Sequence, residues 1–238
     1  MKKIIVVSSD TPHHRYFINF LLKQGIHLTG CFFENNPVLP GFATGPLFEE
    51  EEKEFEETHF FVEMNKDLPT SLISQVSTVN SPQSLETLKE LRPDLGIVFG
   101  TGKINLNIIN LFKSGLINVH RGISQEYRGL DSDLWAIYHS DYDNLGVTIH
   151  KVNPALDTGD IVYQEKLELK KGMEIHQIRY YTTLIATHLV IKAVSDYLNH
   201  RMDFRPQEKR GRYYSFMPLK LKKIARLKFN KYCSDIHE

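Results

Sequence analysis

"IIVVSSDTPHHRYFINFLLKQGIHLTGCFF", residues 4–33, decides the fold class. Ile4 to Val7 is a β-branched run without polar alternation, as in a strand buried on both faces. Ser8 to Thr11 form a turn. Asp10 or Thr11 can cap the helix that follows, with Pro12 in its first turn. Tyr16, Phe17, Phe20 and Leu21 give that helix an apolar stripe, and Gly25 lies just past its end. Leu28 to Phe33 form a second apolar strand. Strand, helix and strand in this order imply a parallel pair, because parallel neighbours need a crossover.

The pattern continues outward. Pro37, Pro40, Gly41, Gly45 and Pro46 mark a loop, after which a glutamate run begins a helix. Ser81-Pro82 opens a helix to about Leu91. Asp94-Leu95-Gly96-Ile97-Val98-Phe99 is a strand ending in Gly100-Thr101-Gly102. A short helix over 106–112 precedes a strand at Leu116 to Val119, and 131–140 is helical. GVTIHKV (146–152) alternates with period two, as a half-buried strand does. The loop 153–160 leads to a strand over 161–169, and 172–199 reads as one long amphipathic helix. The fold class is α/β with a mainly parallel central sheet. Residues 1–200 are expected to form the main α/β domain, the one that would carry any catalytic site; 201–238 add a short strand-turn and a basic tail.

The chain has 238 residues, 41% hydrophobic and 24% charged, enough for a sizeable core. Its formal net charge is zero, which argues against nucleic acid as a partner. The charge is unevenly placed. EEEEKEFEE (49–57) holds seven glutamates, and 209–231 holds nine Lys or Arg and no acid. Each run reads as a solvated face; the basic one also suits an anionic ligand, RNA or a membrane surface. Cys31 and Cys233 are too few for a disulfide framework and fit reduced thiols in a cytoplasmic protein. The apolar run after Met1 is too short for a signal peptide, and no stretch is long enough to span a membrane.

Ligands of open parallel sheets bind at the carboxyl ends of the strands. Three loops leave such ends: 8–11, 100–103 and 120–129. Asn118 and His120 share strand parity and so point to one face. Asp157 opens the turn Asp157-Thr158-Gly159-Asp160. An amide, an imidazole and a carboxylate together suit acyl transfer: the first two can stabilise an oxyanion, and the carboxylate can orient the histidine or accept a proton. No G-x-S-x-G elbow, dinucleotide fingerprint or P-loop is present. His13-His14 lacks metal-ligand spacing, so no metal is expected.

The ordered combination of Asp94-Leu95-Gly96-Ile97-Val98 with Gly102-Lys103-Ile104, Ile117-Asn118-Val119-His120, Tyr127-Arg128-Gly129, Gly146-Val147-Thr148-Ile149 and Asp157-Thr158-Gly159-Asp160-Ile161 resembles the folate-dependent formyltransferases. The resemblance implies a Rossmann-like fold, 10-formyltetrahydrofolate as donor, and a catalytic trio on Asn118, His120 and Asp157. It places the pterin against Phe99, Gly100, Thr101 and Ile104 and against the loop holding Gly159 and Asp160. The family often has proline before the Tyr-Arg-Gly; here the residue is Gln125. The role of His120, base or oxyanion partner, stays open.

Which amine accepts the formyl group is a separate question. About 40 residues follow the long helix, short of the tRNA-binding domain of the methionyl-tRNA branch. The Ser8–Arg15 turn lacks the glycines of the glycinamide ribonucleotide branch. Asp10-x-Pro12-x-His14-Arg15-Tyr16, Trp135-Ala136-Ile137 and Gly211-Arg212-Tyr213-Tyr214-Ser215 look like the sugar-nucleotide N-formyltransferases of bacterial O-antigen and lipopolysaccharide synthesis. That resemblance implies a nucleotide-linked 4-amino-dideoxy sugar as acceptor and a homodimer. Asp10, His14, Arg15, Lys103, Arg128, Tyr213 and Tyr214 are the substrate-binding candidates, with Arg212 a further cation for the diphosphate. Glycinamide ribonucleotide, or a non-catalytic folate or sugar-nucleotide binding module, are the alternatives.

Overall fold

The structure is a computed structural model describing residues 1–36 and 39–236. The expected β-α-β unit is β1 (Ile4–Ser9), α1 (Pro12–Lys23) and β2 (Leu28–Glu34), with β1 and β2 parallel. The glutamate run forms α2 (Glu49–Phe60). Pro37 of the preceding loop lies outside the described residues. A short strand that the sequence reading omitted, β3 (Ile73–Val76), pairs parallel with β2. Then come α3 (Pro82–Leu91), β4 (Leu95–Phe99), α4 (Leu106–Ile109) and β5 (Leu116–His120). Tyr127-Arg128-Gly129, expected as loop, is a strand, β6 (Tyr127–Gly129). After it lie α5 (Ser132–Tyr138), β7 (Gly146–Lys151), β8 (Ile161–Lys166), α6 (Ile178–Leu198), β9 (Arg212–Tyr214) and α7 (Leu219–Ser234).

The main sheet runs β3-β2-β1-β4-β5-β7-β8. Its first five strands are parallel, and β7 and β8 extend it antiparallel beyond β5. Side-chain alternation sorts the sheet into two faces. Ile4, Val6, Ile97, Ile117 and Val119 pack with Phe17 of α1 and Val190 of α6. Ile5, Val7, Val98 and Leu116 pack with Leu88 of α3 and Ile108 of α4. Helices on both faces explain why β1 carries no polar alternation. They also correct the half-buried reading of β7: Gly146 through His150 are all buried. Its apolar positions, Val147 and Ile149, lie in the core beneath α6, and its polar ones face the site.

The C-terminal segment is more regular than a strand and tail. Its basic run is mostly the 16-residue helix α7. Lys222, Ala225, Phe229 and Cys233 recur at helical spacing and are buried in a second core with Leu134 and Ile137 of α5. The two charge runs are not simply solvated faces, because they meet. Lys222 Nζ lies 2.9 Å from Glu49 Oε1, and Arg226 Nη2 lies 3.1 Å from Glu51 Oε2. Glu52 and Glu56 turn inward, where Arg179 of α6 receives both at 2.5 Å. Burial pushes the Glu52 carboxyl up to about 7, against the opposing pull of Arg179. Cys31 and Cys233 are free thiols and both are buried. Among the described residues, no helix is long and apolar enough to cross a membrane.

The inward face of α7 has a direct test. Phe229→Ala, at a fully buried site, lowers unfolding free energy by about 3–5 kcal/mol in urea titration, whereas Leu227→Ala, at a site 73% exposed, changes it by under about 0.5 kcal/mol.

Candidate active site

Strand β5 brings Asn118 and His120 to the carboxyl edge of the sheet on its α3/α4 face. Antiparallel β7 sets His150 opposite Asn118 and Thr148 opposite His120. Cross-strand partners in register share a face, so one polar set lines this edge. The sequence reading quoted His150 within GVTIH but gave it no role. The signal was present: Thr148 and His150 alternate with Val147 and Ile149 along the strand.

The loop after β7 turns Asp157 back onto this set. Asp157 Oδ1 lies 3.2 Å from His150 Nε2 and 3.4 Å from Asn118 Nδ2. Its Oδ2 accepts the Gly129 backbone N–H at 2.7 Å and lies 3.5 Å from His120 Nδ1. The structure therefore brings Asn118, His120 and Asp157 together and adds His150 as a fourth member. His120 Nε2 donates to the Tyr127 carbonyl at 2.8 Å, which leaves Nδ1 toward the carboxylate. His150 Nδ1 donates to the Lys151 carbonyl at 2.9 Å, so its Nε2 is the atom shared by Asn118 and Asp157. Burial by itself would raise the Asp157 carboxyl. The electrostatic pull of neighbouring His120, the His150 hydrogen bond and the Gly129 N–H outweigh it and hold the group well below the usual carboxylate range.

Two glycines make room for this arrangement. A Cβ on Gly122 would sit 2.8 Å from His120 Nε2 and 2.9 Å from Ser132 Cβ. Gly129, at φ 95°, would put one 2.0 Å from the Tyr214 carbonyl.

The segment from Arg205 to Tyr214 straps the site loops. Gln207 Nε2 donates to the carbonyls of Asp157 and Gly159 at 3.0 and 2.8 Å. Gln125, where the family often has proline, accepts the Glu208 N–H at 2.6 Å. β9 pairs with β6, apart from the main sheet. Arg128 is 7% exposed; Nε donates to the Gly211 carbonyl at 2.6 Å and Nη1 to the Leu156 carbonyl at 3.0 Å. Two of its three nitrogens thus bind backbone, a geometry of clamping rather than of anion capture.

A cleft of about 220 Å³ opens beside the trio. By chemical character its lining sorts into a mostly apolar half, Val98, Phe99, Gly100, Thr101, Gly102, Lys103, Ile104, Val152 and Leu156, and a mostly polar half, Arg121, Leu130, Asp131, Ser132 and Asp133. The first set combines apolar side chains with the glycine-containing end of β4. Gly100 has φ 72°, and a Cβ there would strike His14 Nε2 at 2.3 Å. His14 is thus buried behind Gly100, and its Nε2 finds no hydrogen-bond partner among the described residues. Phe99, Gly100, Thr101, Ile104 and Lys103 line the cleft, whereas Gly159 and Asp160 are outside its lining.

The remaining substrate-binding candidates are dispersed. Asp10 and Arg15 close on each other, with Arg15 Nη2 2.9 Å from Asp10 Oδ2. Tyr213 is half exposed above Gly129. Tyr214 stacks between Trp135 and Tyr127 at centroid distances of 4.9 and 5.6 Å. Arg212 lies 5.2 Å from the Tyr214 ring centre. Among the described residues no group of three or more His, Cys, Asp or Glu is placed to hold a metal ion.

Residues 43–194 match the family described as formyl transferase, well over half the chain and all four members of the site. The chain belongs to that family. A methionyl-tRNA formyltransferase of Clostridium beijerinckii is 29% identical over 154 residues, covering 64% of this chain and 49% of that protein. One from Borrelia turicatae is 30% identical over 162 residues, covering 66% and 52%. The chain spans about half the length of these relatives. In fold it resembles a sugar N-formyltransferase from Shewanella (TM-score 0.66, 14% identity, 96% of this chain and 88% of that one). It also resembles a formyltransferase from Anoxybacillus kamchatkensis in complex with UDP-4,6-dideoxy-4-formamido-L-AltNAc and tetrahydrofolate (TM-score 0.55, 18% identity, 90% and 85%).

Two predictions follow from the geometry. The depressed Asp157 group gives stability that is complete above the unfolded carboxylate value of about 4 and is lost as pH falls below it. Melting temperature measured from pH 7 to 2.5 therefore drops more steeply in wild type than in Asp157→Asn, and equal slopes would contradict the assignment. Arg128→Lys keeps the charge but cannot reach both carbonyls, so stability falls by about 1–3 kcal/mol, read by urea titration.

Proposed function

We propose that this protein transfers a formyl group from 10-formyltetrahydrofolate to the amine of a nucleotide-linked amino sugar, as an N-formyltransferase acting on a 4-amino-dideoxy sugar for bacterial O-antigen or lipopolysaccharide. The observation that carries formyl transfer is the convergence of Asn118, His120 and Asp157 beside the cleft. The sugar-nucleotide reading is supported by the sequence pattern at Asp10–Tyr16, Trp135–Ile137 and Gly211–Ser215. It is also supported by fold similarity over nearly the whole chain to sugar N-formyltransferases. The sequence relatives are methionyl-tRNA formyltransferases, so acceptor choice is what the assay must decide.

The chemistry follows from the hydrogen bonds. As the amine attacks the formyl carbon, the carbonyl oxygen gains negative charge and the amine becomes more acidic; His120 takes the amine's proton and returns it to N10 of the folate as the formyl C–N10 bond breaks and tetrahydrofolate leaves. Asn118 donates an amide N–H to that oxygen. His120 acts through Nδ1, because its Nε2–H is bound to the Tyr127 carbonyl. Asp157, held ionised, is a poor proton acceptor. Its role is to orient His120 and stabilise positive charge on the ring. His150 holds the carboxylate from the other side. The donor's pterin occupies the half of the cleft from Val98 to Ile104, with Val152 and Leu156 as its opposite wall. The enzyme works in the cytoplasm as a homodimer.

The test incubates the protein with 10-formyltetrahydrofolate and a panel of dTDP-, GDP- and UDP-linked amino sugars, with glycinamide ribonucleotide and methionyl-tRNA alongside. Mass spectrometry reads the gain of one formyl group. One sugar nucleotide is formylated, and His120→Ala, Asn118→Ala and Asp157→Ala each lower kcat/KM by at least about 100-fold. Exclusive formylation of either non-sugar acceptor would overturn the sugar assignment. Folate binding without any product would replace the enzyme with a binding module.

A further inference from the structure

We propose that Arg121 binds the anionic group of the acceptor, a phosphate of the nucleoside diphosphate, in the polar half of the cleft. The inference rests on formyl transfer to a nucleotide-linked amine and adds the residue that would fix that substrate's charged end.

Arg121 follows His120 directly and lines the same cleft, so its side chain starts one residue from the chemistry. Its side chain is 27% exposed, and no hydrogen bond to its guanidinium exists among the described residues. Its nearest carboxylate contact is Asp133 Oδ2, at 3.6 Å from Nη1, beyond hydrogen-bond reach. Five N–H donors therefore face a partly desolvated cleft without an acceptor that matches them. The other candidate cations differ. Arg15 is paired with Asp10, and Arg128 is bound to two backbone carbonyls. Lys103 also lines the cleft, but from the exposed loop of the half assigned to the pterin.

Asp133 gives Arg121 its direction. The carboxylate is buried, and its Oδ1 accepts the Leu134 N–H at 2.8 Å, which fixes Oδ2 toward the guanidinium. A contact too long to satisfy the arginine can still hold its fork at the cleft wall. A phosphate offers the paired oxygens that a guanidinium fork matches. The amine under attack lies at Asn118 and His120, and the phosphate of a sugar nucleotide is attached across the ring from a 4-amino group. Arg121 and the trio line one cleft, so an acceptor seated with its amine at the trio would bring its phosphate within reach of the guanidinium.

Steady-state kinetics on wild type, Arg121→Gln and Arg121→Lys test the assignment, with acceptor and 10-formyltetrahydrofolate varied separately. Calorimetry with inorganic pyrophosphate provides an independent reading. Arg121→Gln is expected to raise acceptor KM about 10- to 100-fold, leave donor KM within twofold and abolish pyrophosphate binding. Arg121→Lys retains part of each. An unchanged acceptor KM with turnover intact would overturn the role of Arg121 and leave the sugar-nucleotide reading standing. A raised donor KM would assign the guanidinium to the folate's glutamate and equally overturn it. If wild type formylates no sugar nucleotide, the functional reading fails and pyrophosphate alone decides. Binding lost in Arg121→Gln supports the anion site, and binding equal in both proteins, or absent from wild type, removes it.

Discussion

The buried charge of Asp157 is the constraint on which the site depends. An ionised carboxylate removed from water must be compensated by donors and positive charge, or it takes up a proton. Here the compensation comes from three separate strands: His120 at the end of β5, His150 near the end of β7 and the Gly129 N–H at the end of β6. None of these is close to Asp157 in sequence except His150. The carboxylate therefore reports whether the sheet, its antiparallel extension and the second small sheet have all assembled. Asp157 itself sits at φ 53°, in the left-handed region, and Gln207 and Arg128 bind the carbonyls around it. A strained residue persists only where its surroundings over-determine it.

The antiparallel extension has a defined purpose in this arrangement. A sixth parallel strand beside β5 would need a crossover and would bring its own carboxyl end to the site. Antiparallel β7 runs the other way, so register rather than strand end sets which residues meet Asn118 and His120. It also sends the chain back across the sheet edge as the loop that carries Asp157. Thr148 completes the frame. Its hydroxyl donates to the Gly122 carbonyl and accepts the Ser124 N–H, tying the loop after His120 to β7.

How much of this could be read from sequence follows from the range of the interactions. The β-α-β start, the strand at Asp94–Phe99 and the parity of Asn118 and His120 are local patterns, and all appear in the fold. The functional importance of Tyr127-Arg128-Gly129 was legible, but its structural roles were not. Tyr127 offers a carbonyl to His120, Arg128 clamps backbone and Gly129 offers an N–H, and each depends on distant partners. β3 is only four residues long and half-buried, too short for periodicity to reveal. The basic run concealed a helix because its charges dominate its composition. Only the spacing of Lys222, Ala225, Phe229 and Cys233 marks the buried side. Asp10 and Arg15 read as substrate contacts from a resemblance in Asp10–Tyr16; their pairing with each other is a local ion pair that the pattern does not reveal.

Charge balance also explains why the cleft's polar half is distinctive. The acidic and basic runs cancel in composition, and the structure brings them into contact: α2 lies against α6 through Glu52, Glu56 and Arg179, and against α7 through Glu49, Glu51, Lys222 and Arg226. Pairing of this kind ties part of each run to the other, Lys222 and Arg226 to Glu49 and Glu51. At the cleft the balance is less complete. Asp131 accepts the Met217 N–H, and Asp133 accepts the Leu134 N–H, so both carboxylates are held by backbone. Arg121 has no comparable bond. Asp131 and Asp133 line the cleft beside it, so this part of the lining carries both signs of charge. The local balance is thus one arginine against two backbone-held carboxylates, and the guanidinium is the group whose donors are left unmatched.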